Sequence, residues 1–121
     1  MGLADLKYIL SLLILLSGCV SSQSDTMIKC QKIGNLAETS MKFAVSRVGV
    51  EQAITSSFKL YPNYPRELIT YEVPIAFYVL KEATRALPFP PSYTSQGEKW
   101  DEYLVRLHRQ SRQQECMKTL R

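Results

Sequence analysis

Apolar residues along this chain form one unbroken run and then several periodic stretches. The run comes first: Ile9 through Leu16 is hydrocarbon apart from Ser11. Spanning a bilayer takes about 20 consecutive apolar residues, so the run is too short to cross and has the length of the hydrophobic region of an export signal. Beyond it the pattern changes to steps of three and four. Met27, Cys30, Ile33, Ala37, Met41, Ala44 and Val48 predict an amphipathic helix from Asp25 to Val48. Ser24 or Asp25 can cap its start and Gly49 can end it. The small residues Gly34, Ala37 and Ala44 leave room for a second helix to approach closely. Val50, Ala53, Ile54, Ser57 and Phe58 predict a shorter helix that reaches Leu60.

Tyr61-Pro62-Asn63-Tyr64-Pro65 breaks the pattern, because two prolines bracket a turn-forming Asn; its tyrosines are expected to pack over the end of a core. From Arg66 to Leu87, Leu68, Tyr71, Ile75, Tyr78, Val79, Glu82, Ala83 and Leu87 mark the buried side of a third helical region. Pro74 predicts a kink or two short helices there, and a strand is the competing reading for Val73 to Leu80. Pro88-Phe89-Pro90-Pro91-Ser92-Tyr93 reads as an extended connector strapped across the core. Ser95-Gln96-Gly97-Glu98 fits the S-x-x-E capping box, which would start the last helix near Gln96. In that helix Trp100, Tyr103, Leu104 and Leu107 share one face. Met117 and Leu120 give its tail an apolar side of its own. The pattern as a whole defines an all-α protein, a small bundle of about four helices after an N-terminal signal segment.

A chain of 121 residues holds one domain. Apolar residues make up 45% of it, an ordinary fraction inflated by the first segment. The net charge of +4 is carried by the tail, where Arg106, Arg109, Arg112, Lys118 and Arg121 oppose only Glu115. Arg106, Arg109 and Arg112 are the candidate basic contact face, for anionic lipid or an acidic partner. The competing reading is a solvated helix whose cations complement the negative end of its own dipole.

Leu16-Ser17-Gly18-Cys19 resembles the lipobox of bacterial lipoproteins, with a Leu three positions before the Cys and two small residues between them. Asp5 departs from the usual basic start. The resemblance implies a signal peptide at 1–18, cleavage before Cys19, lipid on the Cys19 sulfur and a flexible tether through residue 25, followed by a helical domain over 26–121. Val20 stands where an Asp would, by the same resemblance, favour the inner membrane. An outer-membrane anchor on the periplasmic face is therefore expected. Several acyl chains on one residue make such attachment stable.

With Cys19 assigned to lipid, Cys30 and Cys116 remain, and an even remainder in an oxidising compartment argues for one disulfide. It would close a loop of roughly 85 residues, worth about 4 kcal/mol on the chain-entropy model. At about 100° per residue Cys116 points roughly opposite to Leu107, so the last helix would have to bend, end early, or be overlapped by the first helix near its tail. A metal site on Cys30, His108 and Cys116 is the rival reading, but it lacks the close-spaced ligand pair of zinc sites, and no metal is expected.

Catalytic constellations are missing from the sequence: there is no Gly-rich phosphate loop, no HExxH and no GxSxG. His108 lies among Arg106, Arg109 and Arg112 without an acidic orienter and reads as an exposed helix residue. No cofactor beyond the covalent lipid, no nucleic acid and no small-molecule substrate is indicated. The region from Cys30 to Lys118 also resembles a group of small exported helical proteobacterial proteins of unassigned function. The residues that carry this are Cys30-Gln31-Lys32-Ile33-Gly34-Asn35-Leu36-Ala37-Glu38-Thr39, Met41, Gly49-Val50, and Cys116-Met117-Lys118. That resemblance implies a Cys opening the first helix and another closing the last.

The expected role is a non-enzymatic interaction or accessory protein with a protein partner. A secretin-pilot-like assembly factor, an immunity-type inhibitor of a periplasmic toxin, and an enzyme acting on cell wall or lipid are the alternatives.

Overall fold

The computed structural model describes residues 25–119, and four helices account for most of them. Helix α1 covers residues 25–45, α2 Val50–Leu60, α3 Arg66–Ala86 and α4 Trp100–Thr119. The all-α bundle expected from the periodicity is what forms. No helix among the described residues is long and apolar enough to cross a membrane.

Helix α1 is the shared wall of two apolar clusters. On one side Leu36 packs with Ala53 of α2 and with Ile69 and Val73 of α3. On the other, Met41 and Ala44 pack with Ala76 of α3 and Val105 of α4. Phe77 joins the two clusters. The expected stripe of α1 is buried at Cys30, Ala37, Met41 and Ala44, while Met27 is largely exposed.

The helix ends earlier than Gly49 suggested. Val48 N–H bonds the Phe43 carbonyl and Arg47 N–H the Ala44 carbonyl, both at 3.1 Å, which is the paired pattern of a Schellman turn. Its left-handed residue is Arg47, at φ 62. Gly49, at φ −66, instead precedes α2 as its N-cap.

The Tyr61–Pro65 loop packs as expected. Tyr61 and Tyr64 stack at 4.5 Å against the Leu36 cluster. The Tyr61 hydroxyl donates to the Asn35 carbonyl at 3.4 Å and accepts from the Thr39 hydroxyl at 2.5 Å.

Helix α3 runs unbroken through Pro74, so neither two short helices nor a strand forms. An interior proline costs about 3 kcal/mol. Ile69 and Val73, fully buried next to Thr70 and Pro74 respectively, return roughly 1.5–3 kcal/mol each.

The buried side of α3 overlaps the one expected from the spacing only at its edge, where Leu68 and Val79 are partly buried against the two clusters. Ile69, Glu72, Val73 and Ala76 face the core, and Tyr71 and Tyr78 are 64% and 63% exposed. The same displacement occurs in α4, where Val105, His108 and Cys116 are buried and Leu107 is exposed. In both helices the true stripe lies one residue further on, a rotation of about 100°.

That rotation removes the difficulty over the bridge. Val105, His108, Arg112 and Cys116 follow steps of three, four and four, so Cys116 points inward from an uninterrupted helix. Cys30 and Cys116 are joined by a disulfide with their Cα atoms 5.5 Å apart.

The connector before α4 also differs from expectation. Phe89 is 93% exposed, so this segment does not lay its ring across the core. Helix α4 starts at Trp100 and not near Gln96, because residues 93–99 close a tight turn first. Thr94 N–H bonds the Glu98 carbonyl at 2.7 Å, Gly97 N–H bonds the Thr94 carbonyl at 3.0 Å, and Gly97 takes φ 86. No capping box forms: the Glu98 N–H donates to the Thr94 hydroxyl at 3.2 Å, and the Glu98 carboxylate is held by Arg106.

Candidate functional site

The polar chemistry of the domain is gathered on α4 and the surfaces that meet it. Arg106, Arg109 and Arg112 come at helical spacing, yet each goes to a glutamate on a different element. Arg106 holds Glu98 in the preceding turn, with Nη2 to Oε1 at 3.0 Å, and that hydrogen bond holds the guanidinium pKa above its ordinary value. Arg109 pairs with Glu38 of α1, which Lys42 also approaches at 3.6 Å. Arg112 turns inward to Glu72 of α3. The three cations named as a candidate contact face are therefore ion-paired within the fold, and Arg112 is directed toward the interior.

Glu72 is fully buried and receives Arg112 with both carboxylate oxygens. A buried carboxylate is tolerated only when paired in this way. The hydrogen bond to Glu72 is also the main reason the Arg112 pKa is raised.

One turn before Arg112, His108 is 4% exposed, where the sequence suggested a surface residue. Burial is the largest influence on its imidazole and pulls the pKa down to about 4; Arg112 pushes in the same direction and Glu72 opposes both. The ring is neutral at neutral pH, and its Nε2 has no hydrogen-bond partner. No Ser hydroxyl sits on Nε2, and the ring is almost closed to solvent. The Ser57 hydroxyl is likewise buried and unpartnered.

Cys30 and Cys116 are bonded to each other, which takes both sulfurs away from the alternative metal site with His108. Among the described residues no group of three His, Cys, Asp or Glu side chains is placed to hold a metal ion. Cys19, the expected signal peptide at 1–18 and all but the last residue of the expected tether at 19–25 lie outside the described residues, as do Leu120 and Arg121.

Two surfaces flank the buried polar stripe. Between α1 and α4 runs an open groove of about 530 Å³, with Val45 and Val105 at its base. Three carboxylates, Glu38, Asp101 and Glu102, face three cations, Lys42, Arg106 and Arg109, along its edges, so it has no excess of either sign.

The other surface is apolar. Glu72 meets Arg112 and Ala76 meets Val105, so α3 and α4 run antiparallel. Turning each helix by the same step therefore leaves Tyr71, Ile75 and Tyr78 of α3 and Leu104 and Leu107 of α4 on one side of their seam. Tyr71 and Glu115 both lie within electrostatic reach of Arg112, which agrees with this arrangement. Reading the sequence missed Glu72 and His108 because both carry polar groups. The signal that would have found His108 is Cys116, from which steps of four lead back to Arg112 and His108; nothing local to Glu72 marks it as buried.

No known family model, curated protein or solved structure matches the chain.

Proposed function

We propose that the chain is an exported lipoprotein, anchored through Cys19 at the periplasmic face of the outer membrane, whose helical domain is a non-enzymatic interaction or accessory factor. Leu16-Ser17-Gly18-Cys19 supports the anchor. The Cys30–Cys116 bridge supports export, since such bonds persist in oxidising compartments.

The observation that carries the interaction role is the set of exposed apolar side chains along the α3–α4 seam, Tyr71, Tyr78 and Leu107. Tyr71 and Tyr78, seven positions apart and so on one side of α3, each expose nearly two thirds of a large aromatic side chain. Tyr is enriched where proteins meet, because its ring is buried while its hydroxyl stays wet. The partner is a protein, and the domain presents this stripe to it from the membrane.

Two measurements test the reading. Metabolic fatty-acid labelling should be lost in Cys19→Ser, and labelling that persists would end the lipoprotein assignment. A photo-crosslinking residue at position 78 should trap one protein in cells, while the same residue at position 114, on a polar part of α4, should not. Equal yields at the two positions would remove the docking stripe.

A further inference from the structure

At the end of the bundle opposite the disulfide, the α1–α2 turn, the last turn of α3 and the first turn of α4 surround a recess of about 270 Å³. Leu80, Leu87, Pro88, Pro90, Trp100 and Leu104 contribute apolar wall. Its charged residues are one cation, Arg47, and one carboxylate, Asp101. Neither makes an ion pair among the described residues, in contrast to the three arginines of α4.

Arg47 is also the residue held in left-handed backbone, at φ 62. It occupies the position of a Schellman turn that glycine fills at least cost. A long cationic side chain is thus kept at the mouth of an apolar recess against its own backbone preference, and strain of that kind points to a use.

We propose that this recess binds the C-terminal end of a partner polypeptide whose last residue is apolar. That end offers a carboxylate, an adjacent amide N–H and an apolar side chain within one residue. The carboxylate meets the Arg47 guanidinium, a match of planar fork and planar acceptor. The amide N–H donates to the Asp101 carboxylate, and the side chain enters between Leu80, Pro88 and Trp100. The volume suits this occupant, being below the roughly 300–1,000 Å³ of sites that enclose drug-sized ligands. Two prolines in the wall fix it beforehand and reduce the ordering cost of binding. This deepens the interaction role proposed above and rests on it, and Leu104 belongs both to the recess and to the apolar stripe.

Trp100 is the only tryptophan of the chain, so its fluorescence reports on the recess directly. The test titrates the full-length protein, purified in detergent, with acetyl-Ala-Ala-Leu bearing a free carboxylate, with the same peptide as its C-terminal amide, and with free leucine. The free-acid peptide should change Trp100 emission saturably, and the amide and free leucine should bind at least ten-fold more weakly. Arg47→Gly should weaken the free-acid peptide at least ten-fold while its thermal midpoint stays equal or rises. Arg47→Asn, which also accepts left-handed backbone, should show the same loss and guards against an effect particular to glycine. The proposal is overturned by the absence of a saturable change, by equal binding of the amide or of free leucine, or by unchanged binding to both variants. Because the titration needs neither lipid nor partner, a negative result beside a specific crosslink at position 78 rejects the recess and leaves the interaction role standing.

Discussion

Glu72 and Arg112, 40 positions apart in the chain, meet in a two-pronged ion pair inside the bundle: Nε donates to Oε2 at 3.0 Å and Nη2 to Oε1 at 2.7 Å. The Glu72 side chain is almost fully removed from water. The pair therefore sets the rotation of α3 against α4, since a turn of either helix by one residue would leave a buried carboxylate without its counter-charge.

Breaking the pair from one side should be costly. Arg112→Met leaves the buried Glu72 carboxyl without its counter-charge, and the expected loss is about 3–5 kcal/mol. Replacing both residues by leucine should recover most of it, because two apolar side chains need no compensation for desolvation. Urea denaturation of the single and double variants measures the difference. A double variant as unstable as the single one would show that the pair contributes more than the relief of its own burial.

His108 makes stability depend on pH through a different route. Its pKa is lowered to about 4 in the fold, with burial as the largest cause, against about 6.5 in an unfolded chain. Between these values the unfolded state binds a proton that the folded state does not, so stability falls as pH falls from about 6.5 toward 4 and is fully present above that window. The difference corresponds to about 3 kcal/mol. His108→Leu should flatten the upper half of the window, between about pH 5 and 6.5, where model carboxylates remain ionised. A slope unchanged by that substitution would assign the dependence to other groups.

The two halves of the fold were unequally legible in the sequence. Helix α2 carries one apolar stripe and α1 a dominant one, so the spacing places Cys30, Ala37, Met41, Ala44 and Ala53 in the core as found, but it misses Leu36 on the second buried side of α1. Helices α3 and α4 carry two stripes. The more hydrophobic one, with Tyr71, Ile75, Tyr78, Leu104 and Leu107, attracted the assignment, while the stripe that is buried contains Glu72, His108 and Arg112. Ionisable residues register as surface until their partner is known, and the partner lies in another helix. A reading that held Cys116 to the core and stepped backward would have recovered Arg112, His108 and Val105. The same unrecognised pairings concealed the fate of the candidate basic face, since nothing local to Arg106 or Arg109 announces Glu98 or Glu38.

Reduction of the Cys30–Cys116 bridge should expose how small the core is. The bond joins residues 86 apart, and freeing such a loop in the unfolded chain is worth about 4–5 kcal/mol in the entropy model. That is comparable to the whole stability of a marginal domain, about 5–15 kcal/mol. Cys30→Ser with Cys116→Ser should lower the thermal midpoint by well over ten degrees, as read by circular dichroism, with addition of reductant to the native protein giving the same shift. If neither treatment moved the midpoint, the bridge would be structurally idle.

Gly34 offers a finer probe of how closely α1 and α4 approach. It is buried within α1, and a methyl group built there would lie 2.9 Å from Oε1 of Gln113 and 3.6 Å from Cγ of Arg109. The nearer atom is the far end of a flexible side chain, which can swing aside, whereas the Arg109 stem is already at ordinary contact distance. Gly34→Ala should therefore gain most of the helix-propensity difference, about 0.5–1 kcal/mol, with only Gln113 rearranging. Gly34→Leu has no such escape: its branched end reaches past Gln113 to the Arg109 stem, which is already at contact distance from a methyl group. The expected cost is about 1–3 kcal/mol, and the Arg109–Glu38 pair should be displaced with it. Denaturant midpoints of the two variants give the signs directly, and a stabilising leucine at this position would mean that the two helices are held apart by something other than their contact.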